Sequence, residues 1–401
     1  MKVTINKSVA KGSIKAPPSK SMAHRLLICA ALTPKSEIKN IDFSEDILAT
    51  LDCLKALGAS VETNGDCVNT GNLNPFDIEE NTVLYCRESG STLRFLLPLC
   101  MLSGKRVILK GSQRLLERPL SVYEDICRKC GILFENDGKE ITVCGKLKSG
   151  NYDISGEISS QFITGMMFAL SLMKEKSQIT VKGGFESRSY CDLTADAINS
   201  FGGKIYEKNN IYYIESADFS SFNTAVEGDW SNGAYLEVFG IKENTVTVTG
   251  LNKNSFQGDK VYRKMFSELK SKPQEFDLSN CPDLAPVMFS AAAVLSGAKF
   301  CGTKRLKLKE SDRAKAMAEE LLKFGIETVI GENTVEIKKG VLKKPEEPLY
   351  GHNDHRIVMA LSFLLSITGG EIEGAQAVNK SFPLFFEKIK SLGIEVNVNG
   401  A

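Results

Sequence analysis

The sequence lacks any hydrophobic run long enough to cross a membrane, because no stretch of about 18 or more uninterrupted apolar residues occurs. The first residues, 1–5, alternate like a strand. They have neither the apolar centre of a signal peptide nor the Arg- and Ser-rich character of a transit peptide. We therefore expect a cytoplasmic protein with no membrane partner.

An excess of charge of one sign is also missing. The chain has 50 Lys and Arg residues and 49 Asp and Glu residues, which gives a net charge of +1. Proteins that bind nucleic acid usually carry a clear basic excess, so no nucleic-acid partner is expected. Any anion site must therefore come from a local concentration of Lys and Arg.

Residues that could ligate a metal are few or scattered. The chain has three histidines and 11 cysteines, and most cysteines lie in apolar runs, which is typical of buried thiols in a reducing compartment. Cys127 and Cys130 form a lone CxxC pair. A structural zinc site needs a second pair of ligands, so the sequence predicts no metal site.

What the sequence does contain is a repeated pattern: a small polar residue opens an apolar run of helix length, and a short strand follows. Most copies begin about 70 residues apart, a spacing that indicates repeated supersecondary units. The copies begin at Ser19, Ser89, Ser159, Ser231, Asp283 and Asp354. Ser and Asp at these positions predict helix N-caps.

The same helix starts carry reactive side chains. Free N–H groups and the positive end of the helix dipole make a helix N-terminus a natural anion site. Five of the six starts add further polar or charged groups, namely Lys20, Arg25, Arg94, Gln161, Asp283, His355 and Arg356. If the copies converge, they form one pocket for polyanions, which favours an enzyme that acts on phosphates.

A second repeated element is a helix that ends in glycine and leads into a strand. The predicted helices span 48–57, 122–130, 193–201, 316–324 and 385–392, with a degenerate copy near 261–269. The glycine after each helix favours a left-handed end, and alternating residues then predict a half-buried strand. Six units of this mixed α/β kind, three per domain, are the simplest arrangement.

The length of 401 residues favours two domains. The fourth copy carries no Lys or Arg at its start, and we place one crossover just before it, near Glu227. The paired prolines Pro17 and Pro18 predict a stiff second crossover. The expected domains are therefore 18–227, and 1–17 together with 228–401.

Each candidate site residue also has a purely structural interpretation. Ser89–Gly90 and Ser159–Ser160 could be loops or caps, and Asp283 could be an N-cap and not a base. The charged run 309–313 could be a solvated face. Lys20 favours function, because a Lys in a first turn opposes the helix dipole.

Taken together, these stretches resemble the EPSP synthase branch of the enolpyruvyl transferase family. The resemblance covers nearly the whole chain and keeps the order of the motifs. They lie at 18–21 with Arg25, 89–94, 117–119, 159–162, 282–283, 309–313, 353–356 and 380–383.

This resemblance implies a two-domain inside-out α/β barrel with three βαβαββ repeats per domain, six in total, and an active site in the cleft between the domains. It implies transfer of the enolpyruvyl group of phosphoenolpyruvate to the 5-hydroxyl of shikimate 3-phosphate, with release of phosphate through a tetrahedral adduct. It also implies that the enzyme needs no metal or organic cofactor and that glyphosate inhibits it. We further expect a monomer.

The resemblance further implies residue roles at matching positions. Catalysis is expected of Asp283, Glu310 and Lys20. Shikimate 3-phosphate is expected to contact Lys20, Ser21, Arg25, Ser159, Ser160, Gln161, Ser187, Asp283 and Lys309, with Tyr190 near its phosphate. Phosphoenolpyruvate is expected to contact Lys20, Gly90, Arg118, Gln161, Arg313, Arg356 and Lys380. Two departures are Glu88 and Arg305, which stand where members of the family have Asn.

Sequence features argue against two rival functions. A UDP-N-acetylglucosamine enolpyruvyl transferase typically carries a Cys just before its Arg-Pro, and 109–118 contains none. A non-catalytic repeat scaffold gives no reason to place Asp283, Glu310 and His355 at helix starts. Release of phosphate with each acceptor distinguishes the three.

Overall fold

The computed structural model describes residues 1–243 and 245–399. Asn244, Gly400 and Ala401, which belong to the predicted second domain, lie outside the described residues. The chain divides into two compact units: Pro18–Glu227, the continuous unit, and Met1–Pro17 with Gly228–Ala401, the discontinuous unit. Each unit has its own hydrophobic core.

The helices follow the predicted alternation of two kinds. They are α1 Lys20–Ala31, α2 Glu45–Ala56, α3 Gly90–Cys100, α4 Gln113–Leu116, α5 Ser121–Cys130, α6 Ser160–Ser171, α7 Arg188–Ser200, α8 Trp230–Glu237, α9 Tyr262–Leu269, α10 Ala285–Val294, α11 Arg313–Lys323, α12 His355–Thr368 and α13 Phe385–Ser391. Short 3-10 helices span Val238–Gly240, Gly258–Val261, Pro282–Leu284, Lys304–Leu308 and Ala375–Lys380.

The strands are short. They are β1 Lys2–Ile5, β2 Gly12–Lys15, β3 Ser36–Lys39, β4 Ser60–Asn64, β5 Cys67–Gly71, β6 Thr82–Tyr85, β7 Val107–Lys110, β8 Leu133–Asn136, β9 Glu140–Cys144, β10 Asn151–Ser155, β11 Ser177–Lys182, β12 Lys204–Lys208, β13 Ile211–Glu215, β14 Thr224–Ala225, β15 Val246–Thr249, β16 Gln274–Asp277, β17 Ala298–Cys301, β18 Thr328–Ile330, β19 Thr334–Ile337, β20 Leu349–Tyr350, β21 Gly370–Glu373 and β22 Val396–Asn399.

One sheet topology recurs in both units. The continuous unit has the sheets β14-β3-β5-β4, β6-β7-β9-β8 and β10-β11-β13-β12, and the discontinuous unit has β16-β17-β19-β18 and β20-β21-β1-β22. In β6-β7-β9-β8, β6 and β7 are parallel and are joined through α3, while β9 pairs antiparallel with β7 and β8. A parallel pair needs such a crossover, so this sheet is one βαβαββ unit. The sheets that contain β14 and β1 have the same order, but each takes that one strand from a distant part of the chain.

The unit built on β2 and β15 is smaller than the others. These two strands form a parallel pair by themselves, and α9 ends at Leu269, shortly before β16 begins at Gln274. This short connection leaves no room for the final hairpin, so the copy is βαβα where the repeat predicts βαβαββ. The closer spacing of Ser231 and Asp283 in the sequence reflects the missing hairpin.

Burial distinguishes the two kinds of helix. Every residue of α6 except Gln161 is buried, and α3 and α12 are buried over nearly their whole length. Strands such as β11 bury alternate residues. Helices that are apolar all round lie in the interior, and sheets with one buried face cover them. The inside-out α/β arrangement implied by the resemblance is therefore confirmed.

Most predicted helix ends are confirmed. Ser19, Ser89, Ser159 and Asp354 accept hydrogen bonds from backbone N–H groups in the first turns of α1, α3, α6 and α12. The glycines after the second kind of helix, Gly58, Gly131, Gly202, Gly325 and Gly393, all have positive φ, as a left-handed helix end requires.

Two helix starts in the structure differ from the prediction. Asp229 caps α8, so the start predicted at Ser231 was two residues late. Asp283 lies in the 3-10 helix before α10, and no side chain caps α10. The interpretation of Asp283 as an N-cap is therefore wrong, because its carboxylate faces basic side chains and not a helix N-terminus.

In residues 1–243 and 245–399, no helix is long and apolar enough to cross a membrane. The same residues contain no group of three His, Cys, Asp or Glu side chains placed to hold a metal ion. Cys127 of the CxxC pair is buried and contacts Met101, with 3.4 Å between the two sulfur atoms.

Candidate functional site

Lys20 in the first turn of α1 is held by an ion pair. Its Nζ lies 2.6 Å from Oδ2 of Asp46, in the first turn of α2, and both side chains are mostly buried. The carboxylate offsets the unfavourable position of Lys20 near the positive end of the α1 dipole. An anionic ligand that binds Lys20 must therefore compete with Asp46.

Arg25, one turn further along α1, is a buried cation held by neutral oxygens. Its guanidinium donates to Oγ1 of Thr194 at 2.8 Å, to the backbone oxygen of Ser21 at 2.6 Å, to that of Tyr190 at 3.0 Å and to Oγ1 of Thr164 at 3.4 Å. Burial lowers the pKa of Arg25 to about 10. These contacts bring the predicted residues Ser21, Arg25 and Tyr190 together on α1 and α7.

Gly90, the first residue of α3, lies against two guanidinium groups. A Cβ at this position would lie 2.6 Å from Nη1 of Arg118 and 3.0 Å from Nη1 of Arg94. The missing side chain therefore leaves room for both cations. The resemblance predicts that phosphoenolpyruvate contacts Gly90; in the structure, arginine side chains fill the space beside it.

Arg118 is only partly buried, and its Nε is inaccessible to solvent. Among the described residues, this Nε has no hydrogen-bond partner and no carboxylate lies within ion-pair distance of the guanidinium. A guanidinium without a counterion is suited to bind a carboxylate or phosphate through two parallel hydrogen bonds.

Gln161 links α6 to α3. Its Oε1 accepts a hydrogen bond from Nη1 of Arg94 at 2.8 Å, and its Nε2 donates to Oγ of Ser91 at 3.0 Å. The sequence marked Arg94 as a reactive group but assigned it no ligand. The structure places it between Gln161 and Gly90, where it fixes the orientation of the amide.

The remaining predicted residues of the continuous unit lie at the starts of α6 and α7. Ser159 caps α6, and the following Ser160 is buried. Ser187, just before α7, is buried and has φ 57°, ψ 34°. A left-handed conformation is uncommon for a residue other than glycine, and such conformations concentrate at ligand sites.

Arg313, the first residue of α11, organises the charged cluster of the discontinuous unit. Its side chain is 1% exposed. It donates to Asp354 from Nε, to Asp283 from Nη1 and to Glu310 from Nη2, at 2.7–2.8 Å. Three carboxylates thus surround one guanidinium, and Arg313 brings the two predicted acid–base residues, Asp283 and Glu310, to the same cation.

Asp283 is held in its ionised form. Burial by itself would raise the pKa of its carboxyl group, but the positive charges of Lys309, Arg313 and Arg356 outweigh burial and hold the pKa well below 3.8. Lys309 lies 3.2 Å from the carboxylate. Burial in turn lowers the pKa of the Lys309 ammonium group. The carboxylate is thus ready to accept a hydrogen bond, and its basicity is weak in this arrangement.

Arg356, at the start of α12, has different partners. Its Nη1 donates to Oδ1 of Asn232 at 2.9 Å, and its guanidinium carbon lies 5.1 Å from the ring centroid of Tyr235. Nη2 lies 3.9 Å from Oδ2 of Asp283. The sequence gives no reason to select Asn232, because the fourth helix start carries no Lys or Arg.

Lys380 and His355 complete the predicted set. Nζ of Lys380 donates to the backbone oxygen of Asn353 at 2.7 Å, and both Asn353 and His352 have positive φ. His355 is buried, with Nδ1 3.9 Å from Oδ1 of Asp354. The strained backbone before α12 therefore presents a carbonyl to Lys380.

The predicted residues thus form one cluster in each unit. The continuous unit groups cations and hydroxyl groups at the starts of α1, α3 and α6. The discontinuous unit groups Asp283, Lys309, Glu310, Arg313 and Arg356 around α11 and α12. The first cluster is suited to bind anions, and the second combines cations with carboxylates.

Comparison with known proteins gives a consistent result. A family model described as EPSP synthase (3-phosphoshikimate 1-carboxyvinyltransferase) matches residues 5–389. The chain is 37% identical over 425 residues to a 3-phosphoshikimate 1-carboxyvinyltransferase of Clostridium kluyveri, covering 98% of both chains. It is also 37% identical over 428 residues to that of Clostridium acetobutylicum, covering 98% of each.

Solved structures share the fold. The EPSP synthase of Acinetobacter baumannii matches with a TM-score of 0.79 at 20% identity, over 100% of both chains. The enolpyruvyl transferase NikO of Streptomyces tendae matches with a TM-score of 0.76 at 11% identity, covering 99% of this chain and 98% of that one.

Proposed function

The chain belongs to the EPSP synthase (3-phosphoshikimate 1-carboxyvinyltransferase) family, and from that premise we propose how its residues carry out the reaction. The enzyme transfers the enolpyruvyl group of phosphoenolpyruvate to the 5-hydroxyl of shikimate 3-phosphate and releases phosphate, a step in the biosynthesis of aromatic amino acids. We propose that the clusters of both units act on this one pair of substrates.

Shikimate 3-phosphate is assigned mainly to the continuous unit. The helix starts of α1 and α6 supply Ser21, Ser159, Ser160 and Gln161, and the start of α7 supplies Ser187. Hydroxyl groups and backbone N–H groups at helix N-termini bind phosphate well. Buried Arg25 adds positive charge without a carboxylate to neutralise it. The discontinuous unit adds Lys309 and Asp283.

Phosphoenolpyruvate is assigned to the arginines and lysines of both clusters. The observation that carries this assignment is Arg118, a guanidinium beside Gly90 whose Nε has no partner among the described residues. Gln161 adds an amide, and Lys20, Arg313, Arg356 and Lys380 add positive charge. Two polyanions must be brought together, so several cations are needed to offset their repulsion.

The chemistry needs an acid and a base. The methylene carbon of phosphoenolpyruvate takes up a proton while the substrate hydroxyl loses one and adds to the neighbouring carbon; the tetrahedral adduct then loses a methyl proton and phosphate. We assign Asp283 to the hydroxyl proton, and Glu310 with Lys20 to the protons on carbon. Fixed cations stabilise the charge that changes during both steps.

The test is release of phosphate from phosphoenolpyruvate in three arms. With shikimate 3-phosphate, we expect turnover; with UDP-N-acetylglucosamine, or with no acceptor, we expect none. Product should be confirmed by mass, as a gain of the enolpyruvyl group. Turnover with the nucleotide sugar alone would instead identify the related transferase that shares this fold.

Several finer properties are also part of the proposal. No disulfide joins any of the 11 cysteines, which supports a reducing compartment, and we assign the enzyme to the cytoplasm. We propose that it acts as a monomer, with small molecules as its partners and with neither nucleic acid nor membrane, and that glyphosate inhibits it at the phosphoenolpyruvate site. Size-exclusion chromatography with light scattering tests the monomer.

A further inference from the structure

The two arginines of the discontinuous cluster differ in the charge of their partners. Arg313 donates to three carboxylates, those of Asp283, Glu310 and Asp354. Arg356 donates to a neutral amide, that of Asn232, and lies over the ring of Tyr235. Nη2 of Arg356 does lie 3.9 Å from Oδ2 of Asp283, but at that distance the two atoms form no hydrogen bond. The charge of Arg313 is therefore offset by three hydrogen-bonded carboxylates, and a larger share of the charge of Arg356 is left for a ligand.

Asn232 is placed by α8, a helix without any charged group in its first turn. Asp229 caps this helix: its Oδ1 accepts a hydrogen bond from the backbone N–H of Asn232 at 2.7 Å. This bond fixes the backbone position from which the Asn232 side chain extends. Tyr235, one turn later, donates to the backbone oxygen of Asp283 at 2.9 Å. One short helix thus positions both Arg356 and the backbone of Asp283.

Unsatisfied polar atoms surround this contact. Asn232 is fully buried and Arg356 is 4% exposed. In the part of the chain that the structure describes, Nδ2 of Asn232 and Nε of Arg356 have no hydrogen-bond partner. Buried donors without acceptors destabilise a fold, so this pair is a poor choice for stability and indicates a role in function.

We propose that Asn232 is a positioning residue for the reaction: it holds Arg356 through a neutral acceptor, so that the guanidinium is oriented and keeps its positive charge for an anionic group of phosphoenolpyruvate. This inference rests on the function proposed above. A carboxylate at the same position would hold the guanidinium equally well but would compete with the ligand for its charge.

The experiment compares Asn232→Ala and Asn232→Asp with the unchanged enzyme, using the KM for each substrate at saturating concentration of the other. Loss of one hydrogen bond to a charged group is expected to raise the KM for phosphoenolpyruvate about tenfold in Asn232→Ala, with the KM for shikimate 3-phosphate within about twofold. Asn232→Asp is expected to be at least as impaired, although it keeps an acceptor.

Ser231→Ala is the matched control. It removes a buried hydroxyl group one residue earlier, which has no partner among the described residues, and it leaves the bond between Asn232 and Arg356 in place. We expect unchanged KM values. Thermal unfolding of all variants identifies any that fail to fold.

A double-mutant cycle separates positioning from a general structural effect. If Asn232 acts through Arg356, then Asn232→Ala changes kcat/KM for phosphoenolpyruvate in the unchanged enzyme but not in an Arg356→Ala background. Three results would each overturn the proposal. They are an equal change in kcat/KM on Asn232→Ala in both backgrounds, kinetics of Asn232→Asp that match the unchanged enzyme, and an equal rise in KM for both substrates. An inactive unchanged enzyme would instead refute the proposed function.

Discussion

Substitution of Gly90 by alanine perturbs the candidate phosphoenolpyruvate site with little change elsewhere. Gly90 is the first residue of α3 and its φ is not positive, so the backbone accepts alanine without strain. The new methyl group would lie 2.6 Å from Nη1 of Arg118, whereas ordinary contact begins at 3.4 Å. The Arg118 guanidinium must therefore move by about 1 Å, a displacement large enough to impair a binding site.

The magnitude follows from what Arg118 would lose. A hydrogen bond to a charged group contributes about 1.5–3 kcal/mol, so its loss corresponds to roughly a ten- to hundredfold weaker interaction. Because the Arg118 guanidinium is displaced and not removed, we expect the KM for phosphoenolpyruvate to rise by about tenfold, the lower end of this range. Glyphosate is longer than the substrate, so its inhibition constant is expected to rise by a larger factor.

The assay is competitive inhibition against phosphoenolpyruvate at saturating shikimate 3-phosphate, for the unchanged enzyme and Gly90→Ala. The matched comparison is Gly90→Ala in an Arg118→Ala background, where the clash with Arg118 no longer exists and the added effect should largely disappear. If the KM for phosphoenolpyruvate and the inhibition constant of glyphosate rose by the same factor, Gly90 would control access of both ligands to the site and would not distinguish the longer one. An insensitive unchanged enzyme would refute the assumed geometry of this site.

Three further predictions concern charge. Arg118→Ala is expected to weaken phosphoenolpyruvate binding by about tenfold or more and shikimate 3-phosphate binding much less, measured as separate KM values; equal losses would contradict its assignment. Asp283→Asn is expected to keep binding of shikimate 3-phosphate, measured by calorimetry, while turnover falls by about two orders of magnitude; turnover within threefold or so would refute a role as base. Because the pKa of Asp283 is held well below 3.8 in the fold, its ion pairs contribute stability above about pH 4 that is lost as the pH falls through the folded pKa. The difference in thermal unfolding temperature between the unchanged enzyme and Asp283→Asn should therefore be constant from pH 7 to about 4 and shrink below it; a difference that shrinks between pH 7 and 5 would contradict the low pKa.

Local signals in the sequence determined most of the element pattern. Helix caps and helix ends act on backbone groups within a few residues, as Ser19, Ser89 and Gly131 do. They can therefore be interpreted from the sequence without knowledge of the fold. The motifs from Pro18 to Pro383 were equally accessible, because the family resemblance depends on residue types and their order alone.

The partners of each charged side chain were decided only by the tertiary structure. Asp283 matches the pattern of a cap, yet its carboxylate is turned to Arg313 and Lys309, which lie about 30 residues further along the chain. Asn232 carries no signal in the sequence, and it meets Arg356 only because the fold brings α8 to the first turn of α12. A cap is a contact within one turn, whereas a charge network depends on which helices the core brings together, and that information is not local in the sequence.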